Sequence, residues 1–264
     1  MNEFTAYAAS LAIGLSLGLI GAGGSILTIP VFVYVLKKDP LSSGVYSMFV
    51  VGVSSMAGSI QSIINKLVDF KTAMGFGIPS VAGVLVARKL IFPSIPEELF
   101  ATDSFSLSKE ILFMLTLSTL MCVAAFRMLN PAISKNGSKQ IEKPAIMSLV
   151  VRGLSVGIIT GLLGIGGGFL IVPALFFMAA LPMKQAIGTA LFIITANSLF
   201  SFLTSYGGMD LDWRLLIKFS LGAVVGMAAG TKLSAIIPGD YLKRIFGWFI
   251  MVVAAYVIYK QFFL

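Results

Sequence analysis

The fold is decided by the stretch Gly18-Leu-Ile-Gly-Ala-Gly-Gly-Ser-Ile-Leu-Thr-Ile-Pro30, which recurs as Gly161-Leu-Leu-Gly-Ile-Gly-Gly-Gly-Phe-Leu-Ile-Val-Pro173, 143 positions later. Seven of the thirteen aligned positions are identical, and both copies lie within long apolar runs. Glycines that interrupt a membrane helix at matching positions of two halves are the best pointer in a sequence to a transporter's binding site. The stretch therefore predicts a duplicated chain with a candidate binding site at its two glycine clusters.

The composition is that of a membrane protein. The chain has 264 residues, of which 58% are hydrophobic and only 11% are charged, and its mean hydropathy is +0.98. A soluble domain carries about 25% charged residues. The pI of about 9.6 is therefore better explained by Lys and Arg retained on one membrane face than by nucleic-acid binding.

Several kinds of chemistry are excluded by residue types that the sequence lacks. There is no histidine, which removes His-based metal sites and His general bases, and the single Cys122 removes disulfides and thiolate clusters. No Asp or Glu falls in the middle of a predicted span, whereas proton-driven transporters commonly relay through buried carboxylates. We therefore expect no enzyme activity, no catalytic residue, no metal and no cofactor. Because no basic region follows Met1, we also expect the first apolar run to be retained.

Eight apolar segments can be placed, each long enough to span a bilayer at about 20 residues. They form two sets of four and cover residues 4–36, 43–65, 71–92, 109–130, 145–180, 183–206, 213–237 and 241–263, with a longer connection at 93–108. The repeat extends past the glycine signature, because Asp69-Phe-Lys71 and Asp212-Trp-Arg214 open matching segments, where each Asp suits a helix N-cap. The predicted units are a first membrane repeat (1–130), a polar linker (131–144) and a second membrane repeat (145–264).

The two overlong segments leave two topologies open. If they cross the membrane, each half has four crossings and the repeats are parallel. If they turn back at the glycines, each half has three crossings and the repeats are inverted. The re-entrant arrangement places eleven Lys and Arg residues on one face of the membrane and eight on the other, whereas the spanning arrangement places nine on one face and ten on the other. The positive-inside rule therefore favours the re-entrant arrangement, with the linker in the cytoplasm and both termini outside.

The predicted fold is thus an all-α integral membrane protein of two homologous halves. Each half contains a glycine-broken, re-entrant helical hairpin and three transmembrane helices, and the halves are arranged as inverted repeats.

The glycine clusters can bind an anion through the backbone. At each cluster a half-helix begins, and its first N–H groups lack a partner within the helix and lie at the positive end of its dipole. Glycine lets a ligand approach this backbone closely. The predicted substrate-binding residues are these backbone positions and one amide, namely Gly21, Gly23, Gly24, Ser25, Gly164, Gly166, Gly167, Gly168 and Asn197.

Several of these small and polar residues have a second interpretation. The clustered glycines could serve only a structural kink, and Pro30 and Pro173 are expected to kink the half-helices. Asn197 either lines the pathway or bonds across helices, because an unpaired amide is costly in the middle of a span. Small residues spaced by four are expected to pack helices together: Ser10, Gly14 and Gly18, their counterparts Gly153, Gly157 and Gly161, and Gly222, Gly226 and Gly230.

The duplicated pattern Gly-x-Gly-Gly-(Ser/Gly)-x-Leu-x-x-Pro, at Gly21–Pro30 and Gly164–Pro173, resembles the signature of the TauE/SafE sulfite exporter family, as does the layout of four plus four segments. The resemblance implies a bacterial or archaeal inner-membrane carrier, commonly an exporter, of sulfur-containing anions such as sulfite or organosulfonates. We expect alternating access around an anion held near the bilayer midplane. A passive small-anion channel and a carrier of carboxylate-type anions are the alternatives. The expected partners are the small anion and the lipid bilayer, with no nucleic acid, and a homodimer is one option for the oligomeric state.

Overall fold

The computed structural model of the chain describes residues 3–21, 23–91, 94, 98–102, 105–130, 145–163, 168–207 and 209–263. The described α-helices are α1 (Glu3–Ile20), α2 (Gly23–Pro30), α3 (Pro40–Ile64), α4 (Phe70–Val86), α5 (Lys109–Leu129), α6 (Ile146–Leu163), α7 (Gly168–Met178), α8 (Met183–Ser205), α9 (Trp213–Ile236) and α10 (Gly239–Phe263). Two π-helical turns, Val31–Val35 and Ala87–Ile91, extend α2 and α4.

The helices follow the predicted segments closely, which confirms a helical membrane protein. Among the described residues, four stretches are long and apolar enough to cross a membrane: Ser42–Ile64, Phe70–Ile91, Met183–Ser205 and Trp213–Ile236. The two predicted N-caps are also confirmed. The Asp69 carboxylate accepts from the Thr72 N–H at 3.2 Å, and the Asp212 carboxylate accepts from the Leu215 N–H at 3.1 Å.

A short β-hairpin adds to the predicted all-α fold. Strands β1 (Glu98–Thr102) and β2 (Phe105–Ser108) pair antiparallel within the long connection between α4 and α5. The prediction missed it because the connection was treated as a loop, although Phe105-Ser-Leu-Ser108 alternates apolar and polar residues as a strand does.

The first overlong segment is not one helix, because the chain reverses direction at its glycines. Between α1 and α2, Gly21 adopts a left-handed backbone conformation with φ of +81°. α2 then packs back against α1: a Cβ atom added to Gly24 would lie 2.6 Å from the carbonyl oxygen of Ile13 and would overlap the Leu17 side chain. A turn this tight needs glycine at position 21 because of the left-handed conformation, and at position 24 because a larger residue would not fit against α1.

The helix that follows the turn changes its winding at Pro30. This residue ends α2, and the chain continues as the π-helical turn Val31–Val35. Proline has no backbone N–H to donate, so the regular α-helical hydrogen bonding is interrupted here. The turn carries the buried Phe32 into the core, where its ring centroid lies 5.2 Å from that of Tyr46 on α3 and 4.8 Å from that of Phe219 on α9. α7, in contrast, continues as an α-helix through Pro173.

Two of the helix pairs between the halves are related by the internal repeat. α1 of the first half packs along α9 of the second, and α4 of the first packs along α6 of the second. A Cβ atom on Gly18 would lie 2.5 Å from the Met227 carbonyl oxygen, and one on Gly161 would lie 2.9 Å from Val84 Cα. Gly161 lies 143 positions after Gly18, and Met227 lies 143 positions after Val84, so the two crossings use equivalent residues of the repeat. These contacts confirm the packing role predicted for the four-spaced glycines.

α3 and α8, which hold equivalent positions in the two halves, run antiparallel along each other. Their contacts pair rising residue numbers on α3 with falling numbers on α8, in the order Gly52–Leu199, Ser55–Thr195 and Gly58–Leu191. The last helices of the halves, α5 and α10, also pack together.

Candidate functional site

The first glycine cluster forms a turn at which a half-helix begins, and Gly21 and Gly24 are buried there. The Gly21 N–H donates to the carbonyl of Leu17 at 2.7 Å and closes α1. α2 then starts at Gly23, so the N–H groups of Gly23, Gly24 and Ser25 are the first of that helix and have no acceptor within it. The turn brings these four sequence-predicted residues together at the positive end of the α2 dipole. Such an arrangement can bind a small anion through the backbone.

The turn lies nearer one end of the helix bundle than its middle. Gly21 contacts Ile187, the fifth residue of α8, where an added Cβ atom would lie 2.9 Å from Ile187 Cγ2. The start of α4 lies at the same level, because the Asp69 N–H donates to Thr189 Oγ1 at 3.0 Å. The midplane position that the sequence analysis expects for the anion stays a prediction. α1, which leads to the turn, has 18 residues and extends about 27 Å at 1.5 Å per residue.

The second glycine cluster is only partly covered. Three of its predicted residues lie outside the described part of the chain: Gly164, Gly166 and Gly167. Gly168 is the first residue of α7. Gly161, which precedes the cluster, contacts Val84 near the end of α4, whereas the Gly21 turn lies level with the start of α4. The levels of Gly21 and Gly161 are therefore about 20 Å apart along α4.

Asn197 forms a hydrogen bond from α8 to α4, which agrees with the prediction that this amide bonds across helices. Its side chain is 2% exposed, and its Nδ2 donates to Ser80 Oγ on α4 at 3.2 Å. Among the described residues, its Oδ1 has no hydrogen-bond partner. Asn197 lies ten residues beyond Ile187 on α8, which is about 15 Å along the helix. The structure therefore does not bring Asn197 to the Gly21 turn.

Two hydrogen bonds that the sequence analysis missed follow the internal repeat. The Asp69 N–H donates to the hydroxyl of Thr189, and the Asp212 N–H donates to the hydroxyl of Tyr46 at 2.6 Å. Tyr46 and Thr189 are separated by the same 143 positions as the two aspartates. The signal was present in the aligned halves, because both carry a hydroxyl at this position. These bonds fix the starts of α4 and α9 against α8 and α3.

Two basic side chains bond to the ends of buried helices. The Arg152 guanidinium on α6 donates to the carbonyl of Met178, the last residue of α7. The Lys184 ammonium donates to the carbonyl of Ala235, near the end of α9, at 2.7 Å. Cations at helix C-termini satisfy the last carbonyls and oppose the helix dipole. Both side chains therefore have a structural role.

Lys243 is the one charged side chain that is buried among the residues that the structure describes. It is the fifth residue of α10 and is 4% exposed, and its Nζ lies 5.1 Å from the centroid of the Phe176 ring on α7. The sequence analysis missed it because hydropathy places Lys243 only at the edge of the last segment, and its burial depends on the packing of α10 against other helices. Within the described ranges, no three His, Cys, Asp or Glu side chains lie together as metal ligands.

The bundle of long apolar helices, with a glycine-broken hairpin packed inside it, is that of a multi-pass membrane protein, and a glycine-broken helix in such a bundle is typical of membrane transporters. The profile described as "Sulfite exporter TauE/SafE" matches residues 6–257, and the chain belongs to this family.

Proteins similar to this chain are named as probable membrane transporters. A "Probable membrane transporter protein" of Xylella fastidiosa is 28% identical over 262 residues, which cover 94% of this chain and 92% of that protein. The "Probable membrane transporter protein YunE" of Bacillus subtilis is 28% identical, with 83% of this chain and 82% of that protein covered. The "Probable membrane transporter protein MJ0441" of Methanocaldococcus jannaschii is 33% identical over 41% of this chain and 43% of its own. No solved structure matches the chain.

Proposed function

We propose that the protein exports small sulfur-containing anions, such as sulfite or organosulfonates, across a prokaryotic inner membrane by alternating access. The observation that carries this proposal is the turn at Gly21, where an α-helix begins with N–H groups that have no acceptor within the helix. An anion held there needs no side-chain ligand, because the helix N-terminus supplies both donors and partial positive charge. The transported anion and the surrounding lipid are the partners that this function requires.

The proposed topology is a pair of inverted repeats, 1–130 and 145–264, joined by the linker 131–144. Two observations support it. The equivalent helices α3 and α8 run antiparallel, as inverted repeats require, whereas parallel repeats would give them one direction. The reversal of the chain between α1 and α2 supports a re-entrant hairpin and hence three crossings per half. The positive-inside rule then places the linker in the cytoplasm and both termini outside.

In this topology the Gly21 turn lies toward the cytoplasmic face, because it neighbours the start of α8, which carries Lys184. The duplicated cluster serves the opposite face. Alternating access transfers the anion between these two levels as the hairpins α1–α2 and α6–α7 shift against the central helices α3 and α8. Glycine at the turns lets the backbone reach the anion and lets the hairpins pack without side chains between them.

A flux measurement tests the site assignment. Purified protein in proteoliposomes is expected to carry labelled sulfite with saturation and counterflow. Leucine at Gly23 or Gly166 is expected to abolish flux by covering the backbone donors. Leucine at Gly44 on α3 is the matched control, because an added Cβ atom at Gly44 meets nothing within 4 Å. Normal flux through both cluster variants would refute the binding role of the glycines.

The same preparation distinguishes the proposed carrier from its alternatives. Large unitary currents in planar bilayers would overturn alternating access in favour of a channel. Faster transport of acetate than of sulfite or sulfoacetate would overturn the sulfur-anion specificity and leave a carboxylate carrier.

A further inference from the structure

Lys243 is buried without a partner that neutralises its charge. Among the residues that the structure describes, no hydrogen bond or ion pair is formed by its ammonium group, and the nearby charges are those of Asp240, one turn earlier on the same helix, and Arg244. Asp240 is exposed to solvent rather than turned inward with Lys243. Because burying a charged group is costly unless it is paired, an unpaired lysine inside a bundle calls for an explanation.

The position of Lys243 places it level with the Gly21 turn. α8 and α10 begin side by side, since a Cβ atom on Gly239 would lie 3.7 Å from Met183 Cβ. One turn further along α8 is Ile187, which contacts Gly21, and one turn further along α10 is Lys243. α10 also contacts α2, the half-helix that begins at the turn. The Lys243 side chain and the first N–H groups of α2, which have no acceptor within that helix, therefore lie at the same depth on neighbouring elements.

A purely structural role explains this arrangement less well. The Phe176 ring attracts the ammonium group through its π face, but it carries no net charge that could neutralise it. The C-terminus of α7, which follows Phe176, also attracts a cation, but it supplies only a partial negative charge, and its last carbonyl already accepts from Arg152. A bound anion, in contrast, supplies both the missing charge and the missing acceptors.

We propose that Lys243 contacts the transported oxyanion at the end of the pathway where α8 and α10 begin, and that it supplies the cationic group of the site. This inference rests on the proposed function. It predicts that the ammonium group favours small, compact anions with charged oxygens, such as sulfite, over neutral molecules of the same size.

The test compares Lys243→Gln, Lys243→Arg and the exposed control Lys232→Gln in proteoliposomes that transport labelled sulfite. Lys232 lies on α9 near its end and is exposed. Loss of a charged contact to the anion is expected to raise KM roughly tenfold or more. Lys243→Arg is expected to recover part of that loss, and Lys232→Gln is expected to keep the wild-type KM.

A second measurement uses the unmodified protein, in case Lys243→Gln does not fold. In protein labelled with 15N-lysine, saturating sulfite is expected to shift the Nζ resonance of Lys243, but not that of Lys232, as read by NMR spectroscopy. An unchanged KM in a folded Lys243→Gln variant, or a Lys243 Nζ resonance that sulfite leaves unchanged, would overturn this inference and leave the proposed function intact. An absence of anion flux in the wild-type protein would overturn both.

Discussion

Alanine at Gly83 tests whether the helices cross as closely as the structure indicates. A Cβ atom at this position would lie 2.5 Å from the carbonyl oxygen of Leu154 and 2.8 Å from the backbone nitrogen of Ile158, both on α6. Favourable contacts begin near 3.5 Å, so α4 and α6 must separate by about 1 Å. Overpacking costs about 1–3 kcal/mol, and we expect the upper value because backbone cannot rotate aside as a side chain can. The higher helix propensity of alanine stabilises the folded state by about 1 kcal/mol, so the net loss in the free energy of unfolding is about 2 kcal/mol.

The matched control is alanine at Gly75, which lies on the same helix and faces α6 at a normal distance. Its Cβ atom would lie 3.6 Å from Leu149 Cδ1, an ordinary van der Waals contact. We expect this variant to be more stable than the wild type by about 1 kcal/mol, from helix propensity alone. The assay is unfolding in mixed micelles of increasing SDS fraction, followed by the fluorescence of Trp213 and Trp248. Equal stability of the Gly83→Ala and Gly75→Ala variants would refute the close crossing of α4 and α6.

Two further predictions concern a helix cap and the topology. Asp212→Ala should lower the free energy of unfolding by about 1 kcal/mol, because the Leu215 N–H loses its acceptor. Asp212→Asn keeps an acceptor and should lower the free energy of unfolding much less. Equal losses of stability in the same SDS assay would contradict the capping role. In a Cys122→Ser background, a cysteine at Ser138 in the linker should react with an impermeant maleimide in inside-out vesicles and not in intact cells, and the reverse pattern would contradict the proposed orientation.

Helix boundaries could be predicted from the sequence because they depend on local features. Hydropathy marks the length of each segment, and the aspartates at Asp69 and Asp212 mark helix starts by a bond to an N–H only three residues away. The packing glycines were also recognisable, because a spacing of four residues places them on one helix face. Their partners were not, since nothing local in Gly18 indicates that it contacts Met227.

The candidate site was less predictable because its geometry is set by contacts between distant segments. The depth of the Gly21 turn depends on how far α1 extends along α9 and on its contact with Ile187. Asn197 was recognised as a costly amide, but its partner Ser80 belongs to the other half of the chain. The sequence does not single out Lys243, because a hydropathy profile cannot distinguish a lysine at the membrane surface from one that is buried against a neighbouring helix.

The crossing of helices between the halves has a consequence for biogenesis. Gly14 on α1 contacts Ala223 on α9, about 210 residues further along the chain. α1 can therefore form this contact only after α9 has been synthesised. Until α9 is inserted, the glycine-lined face of α1 has only lipid or an insertion chaperone to contact. Neither half can complete its own helix pairs, so the whole chain is the cooperative folding unit. A ribosome that stalls before α9 would release a chain that membrane proteases can recognise by the bare face of α1.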